Sequence, residues 1–213
     1  MLPRTLEPEV MDDTQEVDEY RKMDHDEVNQ RFVSDLINGG EVGPRVVDLG
    51  CGTAAIPVLL CQTLEDVQVM GIDSSVTMLD IARDEIELGG VLGRVQLEHA
   101  DCKNLDGFES DMANTVVSNT MLHHVAEPKQ IFVEALKLIA PGGRVFIRDL
   151  LRPTSAEAVE ALVEKNAGGE SEFARQLLRQ SLHAALTIDE VREILSGLGV
   201  APDSVNQTSD RHW

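Results

Sequence analysis

Apolar residues recur along this chain with two alternating periods, and the alternation predicts an α/β architecture. Val28, Phe32, Val33, Leu36 and Ile37 fall at helical spacing, and Gly39-Gly40 ends that helix. From Arg45 onward short apolar runs alternate with helical stretches. The runs predict strands at 45–49, 67–72, 95–98, 115–118 and 144–148. Between them, helices are expected at 53–64, 75–88 and 128–139, with Pro57 tolerated because it lies near a first turn. Strands separated by helices imply right-handed βαβ units and a parallel sheet.

Beyond the fifth strand the period stays helical over 154–184, interrupted at Gly168-Gly169. Thr187-Ile188-Asp189-Glu190 has the form of a capping box, and the helix it opens should end near Gly197 or Gly199. A last strand-like stretch covers 204–212. Before the first helix, 7–27 is crowded with acids and holds only Arg21 and Lys22 as bases, which reads as a solvated loop or weak helix.

Composition narrows the function classes. The 213 residues suffice for one large domain, and aromatics at 3% leave the core to aliphatic residues and Met. A net charge of −20 disfavours nucleic-acid and anionic-membrane partners. No apolar run approaches the roughly 20 residues of a bilayer span, and the N-terminus lacks a signal-peptide core, so a cytoplasmic protein is expected. Cys51, Cys61 and Cys102 show no CxxC spacing, which argues against a disulfide framework or structural metal; no metal is expected.

The chemistry concentrates at Asp48-Leu49-Gly50-Cys51-Gly52-Thr53-Ala54-Ala55, a glycine loop between a strand and a helix. Glycines there let the backbone approach a ligand lying over the strand ends. The pattern also fits a dinucleotide fingerprint, so an NAD(P)-dependent oxidoreductase competes. Asp48 separates the two readings: a carboxylate at the loop mouth repels a pyrophosphate and attracts a ligand carrying ammonium and sulfonium charge. Asp73, just past the second strand, suits the ribose hydroxyls of either cofactor.

Residues 45–149 resemble the class I S-adenosylmethionine-dependent methyltransferases of small-molecule type. The glycine loop resembles their first motif, and Gly71-Ile72-Asp73-Ser74-Ser75 with Met78-Leu79 the second. His99-Ala100-Asp101-Cys102 follows strand three, 117–125 follows strand four, and Pro141-Gly142-Gly143-Arg144 precedes strand five, all in family order. Ala54 departs from the pattern, standing where many members carry a third glycine.

The resemblance implies a Rossmann-like three-layer sandwich with strand order 3-2-1-4-5, one or two further C-terminal strands, and helices on both faces. It implies S-adenosyl-L-methionine as methyl donor, with S-adenosyl-L-homocysteine as product, and a small-molecule acceptor. Asp48, Gly50, Cys51 and Gly52 would face the methionine part, and Asp73 with Ser74 the ribose. Met78 would pack on the adenine, Asp101 and the Cys102 backbone would meet its edge, and Ser118 and Asn119 would reach the ammonium through backbone carbonyls. Residues 1–40 would form an acidic helical cap and 41–213 the catalytic domain, with 153–186 a helical insertion that covers the substrate.

His124 and His123, just beyond strand four, are the candidates for acid–base work, against the reading of structural histidines. Tyr20, Arg148 and Asp149 are candidate substrate residues, although Arg148 and Asp149 also suit pairing with each other. A protein that binds the donor without catalysis is the remaining alternative.

Overall fold

The computed structural model describes residues 2–7 and 26–213. Five strands form the sheet: β1 (Arg45–Leu49), β2 (Gln68–Asp73), β3 (Val95–His99), β4 (Ala113–Asn119) and β5 (Ile139–Arg148). All neighbours are parallel and the order is β3-β2-β1-β4-β5, as the resemblance implied. Asp48 lies level with Gly71 on one side and Val117 on the other, so the strand ends of β2, β1 and β4 come out together. The chain order reverses at β1, where β2 and β4 flank it. That switch point opens a crevice at the carboxyl ends of the strands, the usual place for a ligand in such a sheet.

Strand alternation divides the apolar residues between two faces. Val46 and Val69 pack with Phe32, Leu36, Leu60 and Ile86 under α1 (Asp26–Asn38), α2 (Ala55–Thr63) and α3 (Val76–Leu88). Val47, Leu49 and Ile72 pack on the other face with Ile131, Phe132, Val191 and Leu195, from α4 (Lys129–Leu138) and α7 (Ile188–Gly197). The expected capping box is present: Thr187 and Glu190 each accept from the other's main-chain N–H.

Between β5 and α7 stand α5 (Ala156–Ala167) and α6 (Glu172–Ala184), broken at Gly168-Gly169 as the sequence indicated. They share a small core of Val159, Val163 and Leu182, against which Leu2 packs. Residues 2–7 thus lie along this hairpin: Thr5 N–H donates to the His183 carbonyl at 3.0 Å, and Arg4 Nε to that of Ala184 at 2.6 Å. Among the described residues no helix is long and apolar enough to cross a membrane.

The chain's last stretch differs from expectation. The strand predicted over 204–212 does not form; Pro202–Ser204 is a turn of 3-10 helix, and beyond it only His212 bridges to Leu150. Trp213 and Asp149 exchange main-chain hydrogen bonds at 3.1 and 3.3 Å. These bonds are made to the chain beyond β5, so they add no strand to the sheet. β5 itself begins earlier than predicted, because Ile139 already pairs with Ala113. The next paired residue is Arg144, and 140–143 bulge out between them.

Candidate active site

The site begins with the turn that leaves β1. Gly50 and Cys51 both donate to the Ile72 carbonyl, at 2.8 and 3.1 Å, which folds the loop back over the end of β2. Gly50 has φ 71°, and a Cβ there would sit 2.3 Å from Met121 Cγ. Glycine is therefore required twice over, by conformation and by space. Ala54 also takes the left-handed conformation, φ 61° and ψ 24°, while fully buried. The family's third glycine stands where the backbone needs positive φ, and alanine holds that turn at a cost of about 1–2 kcal/mol.

Asp73 locks the loop from below. One carboxylate oxygen accepts from Gly52 N–H at 2.8 Å and the other from Ser75 N–H at 2.8 Å. Around this turn a single cavity gathers Asp48, Gly50, Cys51, Gly52, Asp73, Ser74, Met78, Asp101, Cys102 and Asn119, all expected from sequence, together with His124.

The cavity's chemistry is that of an acceptor-rich, acidic wall. Burial pushes the Asp48 carboxyl pKa well above its ordinary value, and the neighbouring Asp73 charge adds to the rise. Asn119 Oδ1 is buried with no hydrogen-bond partner among the described residues. Both features are unfavourable alone and would be relieved by a ligand bringing positive charge and N–H donors. Lys103 is the only lysine or arginine lining the cavity among the described residues, and it already pairs with Asp101 at 3.1 Å. The thiols are unsuited to attack: all three cysteines are free and buried. Burial holds Cys51 well above the usual thiol value and Cys102 at about 12.

Four residues proposed from sequence stand elsewhere. Ser118 is fully buried, absent from the cavity lining, and its hydroxyl donates to the Leu49 carbonyl at 2.7 Å, tying β4 to β1. Arg148 and Asp149 do not pair with each other, because adjacent residues of extended chain face opposite sides. Arg148 donates to Asp35 at 2.6 Å and lies over the Phe32 and Phe146 rings. Asp149 accepts from Leu122 N–H at 2.6 Å and Leu150 N–H at 2.7 Å, and its Oδ1 lies 2.6 Å from His123 Nδ1. His123 is thus a buried partner of Asp149 outside the cavity lining, while His124 reaches the cavity. Tyr20 lies outside the described residues.

Burial opposes charge on His123, but the charge and hydrogen bond of Asp149, with Glu7 behind them, raise its pKa overall. Burial likewise pushes Asp149 up, yet His123 and the two main-chain donors bring it below the usual carboxylate value.

Sequence reasoning missed three features. Thr120 lines the cavity with φ 53°, a left-handed conformation that is rare for a β-branched residue. Asn29 of α1 brings a polar side chain to the rim. Glu7, grouped by composition with the solvated acidic run, has a side chain only 8% exposed and sits beside both histidines, at 3.5 Å from His123 Nε2 and 3.1 Å from His124 Nδ1. Glu7 and the two histidines present donor atoms within 4.8 Å of one another. No signal in the local sequence marks these placements, which arise from tertiary docking.

Residues 41–196 match the methyltransferase domain family. Among curated relatives, 27-O-demethylrifamycin SV methyltransferase of Amycolatopsis mediterranei is 28% identical over 167 residues, covering 78% of this chain and 57% of that one. A ubiquinone/menaquinone biosynthesis C-methyltransferase of Geobacter sulfurreducens is 30% identical over 114 residues, covering 53% and 44%. The chain spans about half the length of these relatives. The solved structure of the plantazolicin methyltransferase BpumL with S-adenosylhomocysteine superposes with a TM-score of 0.69, at 18% identity, over 87% of this chain and 70% of that one.

Proposed function

The chain belongs to the methyltransferase domain family, and from that premise we propose that it transfers the methyl group of S-adenosyl-L-methionine to a small-molecule acceptor by direct displacement, releasing S-adenosyl-L-homocysteine. The observation that carries the reading is the acidic, acceptor-rich wall at the ends of β1, β2 and β4: Asp48, Asp73 and the unsatisfied Asn119 Oδ1. A pyrophosphate placed there would meet two carboxylates and a lysine already engaged by Asp101, which disfavours a nicotinamide cofactor.

When bound, S-adenosylmethionine supplies a methyl group on a positively charged sulfur. Asp48 and the main chain of Gly50, Cys51 and Gly52 hold its methionine part, with Asn119 accepting from the ammonium. Asp73 accepts from the ribose hydroxyls with Ser74 beside it. Met78 packs on the adenine, and Asp101 and the Cys102 main chain meet the adenine edge. His124 removes a proton from an acceptor oxygen or nitrogen as it attacks. The hairpin of α5 and α6, within 153–186, covers the acceptor as a lid on the 41–213 domain, with residues 2–7 docked along it; residues 8–25 of the expected 1–40 cap lie outside the described residues. The relatives' names, a rifamycin and a quinone-pathway methyltransferase among them, fit a small-molecule acceptor. Three free, buried thiols are in keeping with a reducing cytoplasm.

Asp73→Ala is expected to weaken donor binding by about 1.5–3 kcal/mol, the size of lost hydrogen bonds to a charged group. Calorimetry on the folded variant checks this, and unchanged affinity would remove Asp73 from the site. A second expectation follows from Asp48. A cationic ligand favours its ionised form, so donor binding releases a proton, and affinity rises with pH until the raised Asp48 pKa is passed. The heat of binding should therefore vary with the ionisation enthalpy of the buffer. That dependence should vanish in Asp48→Asn, which also loses more affinity for the sulfonium donor than for its uncharged product.

A further inference from the structure

Two histidines and a carboxylate meet where the segment 2–7 docks against the turn that follows β4. Arg4 donates to the main-chain carbonyls of His123 (3.2 Å), Val125 (2.9 Å) and Ala184 (2.6 Å), and Thr5 N–H to that of His183 (3.0 Å). These bonds deliver Glu7 beside both imidazoles, where Ser181 Oγ donates to its carboxylate at 3.2 Å. One ligating atom each from Glu7, His123 and His124 then lies within 4.8 Å of the other two, the one such group of three among the described residues.

The spacing is that of ligands around one ion. Bonds of about 2.0–2.1 Å at the tetrahedral angle put neighbouring ligand atoms about 3.3–3.4 Å apart. Glu7 Oε1 stands 3.5 Å from His123 Nε2 and 3.1 Å from His124 Nδ1, on either side of that value. The shorter approach lacks the geometry of a hydrogen bond, and an ion between the two atoms would hold them at that distance. His123 is also supported from behind as metal ligands are. Its Nδ1 lies 2.6 Å from Asp149 Oδ1, and Asp149 accepts in turn from the N–H groups of Leu122 and Leu150. A carboxylate on one ring nitrogen fixes the tautomer and makes the other nitrogen the better ligand. That other nitrogen is the one facing Glu7.

We propose that Glu7, His123 and His124 form a site for a divalent transition-metal ion of the zinc class, which fastens the 2–7 segment to the turn carrying His124. Two imidazoles and one carboxylate suit Zn2+, Co2+ or Ni2+ over Mg2+ and Ca2+, which favour oxygen-only sets. Glu7 and Asp149 offset the charge of the ion, while the Arg4 guanidinium is turned to main-chain carbonyls. No cysteine takes part and Glu7 is remote in sequence, so no local spacing marks the site. The expectation of no metal rested on the cysteines alone. The filled site holds His124 through Nδ1 and leaves its Nε2 carrying the proton. The form that removes a proton from an acceptor is therefore the metal-free one.

The test is titration calorimetry of the chelator-treated full chain with Zn2+ alone. One equivalent is expected to bind. Glu7→Gln should weaken it by more than about 100-fold, because losing an outer partner of a ligand already costs about 10–100-fold. His124→Gln leaves Glu7 and Ser181 in place, should show the same loss, and serves if the Glu7 variant does not fold. With Zn2+ at about 100 times its dissociation constant, amide exchange at Thr5 should slow by about 100-fold, since the ion binds only the docked segment. No saturable binding, or only the weak multisite binding of an acidic surface, overturns the proposal. So does one-equivalent binding that both variants keep, which would place the ion on other residues, and so does unchanged exchange at Thr5. Donor binding is measured separately on the metal-free chain. Its absence would sink the methyltransferase reading while leaving the zinc result standing.

Discussion

Replacing Asp149 by alanine is expected to destabilise the fold by about 3–5 kcal/mol, the usual cost of removing one member of a buried ion pair. The side chain is almost fully buried, 2.6 Å from His123 Nδ1, and it accepts from the main-chain N–H groups of Leu122 and Leu150. Without it, three buried donors lose their acceptor, and the 3-10 turn at Leu122–His124 that presents His124 loses its anchor. Urea unfolding of the variant measures the loss.

The pH dependence follows from the two shifts. His123 has a raised pKa, so its share of the stability is complete below 6.5 and is lost as pH rises through the folded value. Asp149 has a lowered pKa, so its share is present above 3.8 and is lost as pH falls through the folded value. The penalty of Asp149→Ala should therefore be greatest between 3.8 and 6.5 and shrink on either side. A penalty under about 1 kcal/mol, the size of an exposed pair, would contradict the buried ion pair.

His124→Ala is expected to lower turnover by about 10²–10⁴-fold on a hydroxyl or amine acceptor, with donor affinity barely changed. His124 lines the cavity, whereas His123 is committed to Asp149 and is absent from the lining. The activity should rise with pH through the histidine range, and the variant should lose that rise. Near-normal turnover with such an acceptor would refute His124 as the base and leave positioning alone as the explanation. With an acceptor that is already a thiolate or carbanion no base is required, and the variant should remain active.

Much of the cavity lining was legible in the sequence because its parts are local. Asp48, Gly50 and Gly52 lie within one strand and the turn that leaves it, and the glycines' positive φ angles announce that turn. Asp73 and Asp101 occupy the corresponding places after β2 and β3, and parallel pairing brings those strand ends level with the end of β1. The order of the five strands followed from the same motifs.

What was not legible depends on contacts between distant parts of the chain. Glu7 lies in an acidic run and reads as solvated, and only its docking beside Ser181 and the histidines buries it. Arg148 and Asp149 are neighbours in sequence, but extended backbone turns one toward α1 and the other toward His123. The stretch 204–212 has strand-like composition. Its main-chain pairing with β5's side of the fold is made to Leu150 and Leu151, beyond the end of that strand, so it runs past the sheet without joining it.

The central claim is that the cavity at the ends of β1, β2 and β4 takes an adenosyl methyl donor. Its most direct measurement is titration calorimetry of the protein with S-adenosylmethionine, S-adenosylhomocysteine and NADH in parallel. Both adenosyl ligands are expected to bind at one site per chain, and NADH to give no saturable heat. Binding of NADH with neither adenosyl ligand bound would contradict the account.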